Sequence, residues 1–276
     1  MRFYILFLFL IFSGCATKVE QIPQDFESFK IYDSNSGKVI NYQSFISSIL
    51  QSDIVLLGEG HYMPYHVFLE NKIIKDLMRY RKVDVVLEMG ASDIQKVWDD
   101  AKMLKESTLP ENVENVLKWD KSWKFSHYGY LVKNLFYSNA NLLAGNLSKD
   151  EINQIYMGAM PLNGIKSTTN NVKEKIKNKI LLAHKVDDET VKKMVEIQQF
   201  KDRRMADKLV KSKNLSILIA GRFHADKSFG VPLHIDDFDT NKRFVVIFFG
   251  YENEKFDNEM KYENDYFIEF NKGVKW

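Results

Sequence analysis

The sequence predicts an α/β protein in which a mainly parallel β-sheet is flanked by α-helices, and three observations support this. The strand candidates are continuous apolar runs without polar alternation, which is typical of strands buried on both faces. Segments with helical spacing of apolar residues separate these runs. Two stretches, residues 92–139 and 150–185, carry helices without comparable strands, and we expect them to form a helical excursion over the carboxyl ends of the strands.

The individual elements follow from apolar runs and from apolar residues three or four positions apart. The strand candidates cover residues 53–58, 83–89, 140–146, 215–221, 243–251 and 266–270. The helix candidates cover residues 64–80, 91–104, 108–119 and 126–138, then 149–182 as helix, loop and helix, and 187–211. Pro64 suits the first turn of its helix, because the missing N–H of proline has no partner to lose there.

Composition and charge narrow the class of protein. The chain has 276 residues, of which 45% are hydrophobic, enough for one large core. The formal net charge is only +2, which gives no electrostatic case for a nucleic-acid partner. Cys15 is the only cysteine, so an intrachain disulfide is excluded.

The N-terminus has the pattern of a bacterial lipoprotein precursor. Arg2 precedes an apolar run from Phe3 to Phe12, which suits a signal-peptide core and is too short for a permanent membrane span. Small residues then lead to Cys15, as in a lipobox. We therefore predict a signal peptide over residues 1–14, a lipidated Cys15 with a spacer over 15–30, and a folded domain over 31–276. The alternative is an ordinary signal peptide in which Cys15 is incidental.

Polar side chains follow the ends of three apolar strand candidates. Glu59 and His61 follow the first, Glu88 ends the second, and His224 follows the strand at 215–221. Because the carboxyl ends of parallel strands meet at one edge of a sheet, we expect His61 and His224 to lie side by side there. Such residues suit metal ligation, acid–base chemistry or contacts to a ligand's carboxylates. The plainer alternative is that they only cap loops.

Two further groups of polar residues stand out. Gln198 and Asp202 lie on the apolar face of the helix at 187–211, so they must find buried partners. They form either a network that holds a loop or a support for the histidine-bearing loops.

Tyrosines also cluster near these elements. For Tyr128, on the core face of its helix, we expect packing, whereas Tyr130 points away from that face.

With these motifs the sequence resembles the ChaN-like haem-binding lipoproteins, in the superfamily that also includes TraB and Tiki proteins. The resemblance covers residues 50–250, and four blocks carry it: "VLLGEGHYMPYH" (55–66), "VVLEM" (85–89), "QQFKDRRMADKL" (198–209) and "IAGRFHADKSFGVP" (219–232). The two Gly-x-x-His elements combined with the strand-end glutamate are the specific part of the match.

The resemblance implies a non-enzymatic protein that holds haem without a covalent bond. It implies iron ligation by a tyrosine, for which Tyr130 is the first candidate and Tyr62 and Tyr65 follow. Propionate contacts would come from His61, His224 and Lys227, with Lys149 as the alternative lysine. Two subunits would close over facing haems. The lipid anchor would place the protein at the outer membrane, beside a haem receptor of that membrane.

Two other functions remain open at the level of sequence. The related Tiki proteins indicate a metal-dependent hydrolase or peptidase, in which His61, His224, Glu59 and Glu88 would hold a water-activating metal. The third possibility is a non-catalytic scaffold whose polar residues at strand ends stabilise loops.

Overall fold

The computed structural model describes residues 29–251 and 264–271. The predicted signal peptide and Cys15 lie outside the described residues. Within the described part, β1 starts two residues before the predicted domain boundary at residue 31. The strands are, in chain order, β1 (Phe29–Asp33), β2 (Lys38–Ile40), β3 (Ile54–Glu59), β4 (Val83–Ala91), β5 (Asn141–Asn146), β6 (Leu215–Gly221), β7 (Phe244–Tyr251) and β8 (Tyr266–Phe270).

The helices from α2 to α8 match the predicted positions, apart from residues 108–119, whereas α1, α9 and α10 were not predicted. They are α1 (Tyr42–Ile49), α2 (Pro64–Leu77), α3 (Gln95–Met103), α4 (Val113–Val116), α5 (Phe125–Tyr137), α6 (Lys149–Gly158), α7 (Asn170–Ala183), α8 (Asp188–Lys211), α9 (Arg222–Ala225) and α10 (Val231–Asp236). Residues 108–119, predicted as one helix, contain only a short 3-10 turn and α4.

The strands form one sheet in the order β2-β1-β8-β7-β3-β6-β4-β5. All neighbours from β8 to β5 are parallel, which confirms the predicted mainly parallel sheet. At the other edge, β1 pairs antiparallel with both β2 and β8. The sequence analysis missed β1 and β2, because each is too short to show a long apolar run.

The central strands β3 and β6 are buried along their whole length, because helices cover both faces of the sheet there. On β3, Val55 and Leu57 pack into one core that includes residues of α1, α2 and α5. Ile54 and Leu56 point to the opposite face and pack into a second core with residues of α8 and α10. A third, smaller cluster joins α7 to α8. None of the helices among the described residues is long and apolar enough to cross a membrane.

Candidate functional site

Three neighbouring strands bring the polar residues of the two Gly-x-x-His motifs to one edge of the sheet. The strand β6 lies between β3 and β4, and all three are parallel. In the register of β3 and β6, Glu59 is opposite Gly221, so the loops that carry His61 and His224 leave the sheet side by side. This placement is the one that the sequence predicted from the carboxyl ends of parallel strands.

The carboxylate of Glu88 lies between the two histidines. Its Oε1 is 3.2 Å from Nε2 of His224, and its Oε2 is 3.7 Å from Nε2 of His61. The backbone N–H of Gly221 donates to the same Oε2 at 2.8 Å. Glu88 is almost completely buried, so these contacts act with little screening by solvent.

This arrangement makes Glu88 and His224 a buried ion pair. Burial by itself would raise the pKa of Glu88, but the charge and hydrogen bond of His224 lower it to about 2. Burial would lower the pKa of His224, but the charges of Glu88 and Asp202 raise it to about 10. At neutral pH, His224 is therefore an imidazolium and Glu88 a carboxylate.

The opposite side of the His224 ring faces α8, where two of the polar residues singled out in the sequence lie. Oδ1 of Asp202 is 2.5 Å from Nδ1 of His224, and the side-chain amide of Gln198 is 2.9 Å from the same nitrogen. Burial raises the pKa of Asp202 to about 6, even though His224 acts in the opposite direction. Gln198 and Asp202 therefore support the loop that carries His224, which is one of the two alternatives that the sequence left open for them.

His61 is held by a second carboxylate and by a phenol. Its Nδ1 lies 2.9 Å from Oε1 of Glu59, and the hydroxyl of Tyr128 donates to the same oxygen at 2.6 Å. Burial would lower the pKa of His61, but the hydrogen bond to Glu59 and the charge of Glu88 together raise it. Tyr128 was predicted to serve only in packing. Its hydroxyl was the missed signal, since a buried tyrosine needs a hydrogen-bond partner.

Glu70 of α2 is a further site residue that the sequence analysis missed. Its side chain is completely buried, and burial together with the neighbouring Glu59 raises its pKa. Both effects favour the neutral carboxylic acid form of Glu70 over the carboxylate. The available signal was a glutamate on the apolar face of α2, three residues after Val67 and four before Ile74.

The glycine of the second motif has a steric role. A Cβ atom on Gly221 would lie 2.7 Å from Nε2 of His61, closer than real Cβ contacts allow. The missing side chain of Gly221 therefore makes room for the His61 ring. The glycine of the first motif has a different role, because a Cβ atom on Gly58 would lie 2.8 Å from the ring of Phe248.

A cleft of about 700 Å³ opens beside this cluster, between the ends of β4 and β5 and the helical excursion. Trp123 connects the two features, because it lines the cleft and its ring lies 5.0 Å from the ring of His61, edge to face. The other apolar walls are Met89, Ile94, Trp98, Leu147 and Ile152. Three lysines (Lys118, Lys149 and Lys201) and three aspartates (Asp93, Asp120 and Asp150) also line it, so their formal charges cancel. The cleft thus combines aromatic walls with lysine ammonium groups that can pair with the carboxylates of a flat ligand.

The structure brings only some of the predicted ligand contacts to the cleft. Tyr62 lines it and adopts a left-handed backbone with φ of 63°, rare for a residue other than glycine. The ring of Tyr130 instead packs against Phe68 of α2 at 4.4 Å, and Tyr65 is buried against Phe270. Lys227 forms an ion pair with Asp265 at 2.8 Å.

Comparisons with known proteins agree with the fold and the motifs. A family model described as haem-binding uptake, Tiki superfamily, ChaN matches residues 45–235. The structure resembles that of ChaN of Campylobacter jejuni, solved for its cofacial haem binding. The two chains are 39% identical, with a TM-score of 0.83 over 88% of this chain and 97% of that chain.

Two other solved structures are far more distant. A mutant erythromycin esterase in its open conformation is 13% identical, with a TM-score of 0.48 over 81% of this chain and 77% of that chain. A Bacillus cereus protein is 12% identical, with a TM-score of 0.45 over 89% of this chain and 95% of that chain. Neither likeness bears on function. A search of curated proteins gave no significant match.

Proposed function

Since this chain belongs to the ChaN family of haem-binding uptake proteins in the Tiki superfamily, we propose that it binds haem without a covalent bond and takes part in haem uptake. The observation that carries the proposal is the cleft of about 700 Å³ at the carboxyl ends of the strands. Haem is a broad apolar plate with two carboxylates, and the cleft offers both apolar walls and lysines. Each square ångström of apolar surface buried contributes roughly 25 cal/mol to binding.

The helix α6 carries a tyrosine one turn beyond the residues that line the cleft. Lys149 and Ile152 line the cleft, and Tyr156 lies four residues after Ile152 on the same face of α6. Its side chain is half exposed, so its phenol oxygen is open to a metal ion. A tyrosinate is an established ligand of haem iron. Tyr156 is therefore our first candidate for the iron ligand, ahead of Tyr62 and of Tyr130, whose ring is packed against Phe68.

The propionate contacts follow the same reasoning. Lys149 and Lys201 line the cleft, whereas Lys227 is engaged by Asp265, so we assign the propionates to the first two lysines. His61 is half-buried next to Trp123 and remains a candidate contact. His224 holds a carboxylate at each ring nitrogen, which favours a supporting role under the site.

The remaining parts of the proposal concern assembly and location. The cleft and the outer part of α6 are open to solvent, so one subunit covers only part of a haem plate, and a second copy would cover the rest. Haem binding would then favour the dimer by mass action. We further propose a lipid anchor at Cys15, attachment to the outer membrane and haem transfer from a receptor there. The pattern at residues 1–15 supports this.

Absorption spectroscopy of the purified mature protein tests the proposal. We expect ferric haem to bind stoichiometrically with a tyrosinate charge-transfer band, and we expect Tyr156→Phe to lose that band. Tyr130→Phe and Tyr62→Phe serve as matched variants and keep it. Loss of the band in Tyr130→Phe alone would identify Tyr130 as the iron ligand, as the sequence analysis expected. Failure of the wild-type protein to take up haem would overturn the function itself.

A metal-dependent hydrolase is the second candidate, because both histidine Nε2 atoms face Glu88. However, the two carboxylates around His224 raise its pKa to about 10, so a metal would have to displace a tightly held proton. Among residues 29–251 and 264–271, no group of three or more His, Cys, Asp or Glu side chains is arranged to hold a metal. Stoichiometric zinc binding with hydrolysis of a peptide or ester would favour this candidate over haem binding.

A further inference from the structure

Two methionines project into solvent where α6 ends. Met157 is 87% exposed, and Met160, three residues later, is 88% exposed. Between them, Gly158 has a φ of 115°, and α6 ends at this residue. Large apolar side chains at such exposure have no packing role within the subunit. They follow Tyr156, a half-exposed tyrosine of α6 that lies one turn after the cleft-lining Ile152.

The thioether sulfur of an exposed methionine reacts with hydrogen peroxide. Hydrogen peroxide transfers one oxygen atom to the methionine sulfur, so that a sulfoxide forms, the O–O bond breaks and the peroxide leaves as water. The sulfur is oxidised by two electrons and the peroxide is reduced by the same two. The product is polar and loses the apolar character of the side chain, and methionine sulfoxide reductases restore the thioether.

We propose that Met157 and Met160 form a peroxide-sensitive modification site, and that their oxidation to the sulfoxide weakens haem binding reversibly. The inference rests on the proposed function, because it places haem along the face of α6 that carries Tyr156. A haem that extends beyond the cleft past Tyr156 would contact the apolar side chains of Met157 and Met160 with its edge. Conversion of both into sulfoxides removes that apolar contact, and we expect the dissociation constant to rise about tenfold.

The described part of the chain distinguishes these methionines from the others. Met89 and Met205 are buried and therefore protected from peroxide. Met63, next to Tyr62, is 39% exposed and is less open to peroxide than Met157 and Met160. Met103, at the end of α3, is 84% exposed, and it lies on a different helix from Tyr156. Its sulfur is as open to peroxide as those of Met157 and Met160. Met103 thus serves as a matched control that is oxidised without affecting the proposed haem surface.

The experiment compares each protein with its own untreated sample. Wild type, the double variant Met157→Leu/Met160→Leu and the control Met103→Leu are treated with hydrogen peroxide, which catalase then removes. Mass spectrometry maps the added oxygen atoms, and absorbance titration gives the haem dissociation constant. We expect an increase of about tenfold in wild type and in Met103→Leu, reversed by methionine sulfoxide reductase. In the double leucine variant we expect less than a twofold change.

The outcomes separate the inference from the function beneath it. An equal loss of affinity in the double variant would assign the effect to another residue and overturn the inference. Sulfoxide formation at both methionines with unchanged affinity would overturn it as well. If the untreated wild-type protein takes up no haem, the proposed function fails first, and the inference fails with it.

Discussion

Replacement of Glu88 by glutamine removes one charge from the centre of the buried network and preserves the shape of the side chain. The amide oxygen can still accept the N–H of Gly221, which donates to Glu88 at 2.8 Å. The change leaves the imidazolium of His224 with a single carboxylate, that of Asp202. Removal of one partner of a buried ion pair is costly, since it leaves the other charge uncompensated.

The magnitude follows from the pKa of Glu88. Its usual value of 4.5 falls to about 2 in the folded protein, where His224 outweighs the effect of burial. A difference of this size corresponds to about 3 kcal/mol of folding free energy. Because the folded-state pKa is depressed, this contribution is complete above pH 4.5 and is lost as the pH falls towards about 2. We therefore expect Glu88→Gln to cost about 3 kcal/mol at pH 7 and roughly half of that at pH 3.

Urea denaturation of both proteins at pH 7, 5, 4 and 3 measures the difference in the free energy of unfolding. Glu174→Gln is the matched control, because it makes the same chemical change at an exposed position of α7. We expect the control to change the free energy of unfolding by less than about 0.5 kcal/mol. The reasoning is refuted if Glu88→Gln costs less than about 1 kcal/mol at pH 7, or if the difference does not narrow on acidification.

Two further predictions concern the packing and hydrogen bonding of His61. Gly221→Ala would place a Cβ atom 2.7 Å from Nε2 of His61, and we expect a loss of about 1–3 kcal/mol in stability, relieved when His61→Ala is added. An additive double variant would contradict this steric explanation. Tyr128→Phe removes the 2.6 Å hydrogen bond to the buried Glu59, which we expect to cost about 1–3 kcal/mol in urea denaturation. The exposed Tyr80→Phe is its control, and equal effects of the two changes would refute the role of the hydroxyl.

Much of the fold could be predicted from the sequence because the signals are local. The six strands from β3 to β8 appear as continuous apolar runs, and helices such as α2 and α5 appear through apolar residues at helical spacing. The exceptions were short or depended on distant partners. The strand β1 is stabilised by antiparallel pairing with β8, more than 230 residues later, and no local pattern reveals that pairing.

The sequence predicted which residues meet at the candidate site, but it did not predict the contacts between them. The sequence located Glu59, His61, Glu88 and His224 at strand ends, and parallel strands place such ends at one edge. It did not reveal that Glu88 lies between the two histidines, since this depends on β6 being the strand inserted between β3 and β4. It also assigned Tyr128 to packing alone, whereas the hydroxyl of Tyr128 donates a hydrogen bond to Glu59.

The amino-acid sequence by itself determined most of the longer strands and helices and the residue types that end them, because these features depend on neighbours within one or two turns of the chain. Only the tertiary structure decided which acid pairs with which histidine, and which side chains line the cleft. Those contacts join residues that are far apart in the chain. They depend on strand order and on the rotation of each helix about its axis, where a shift of one residue turns a side chain by about 100°.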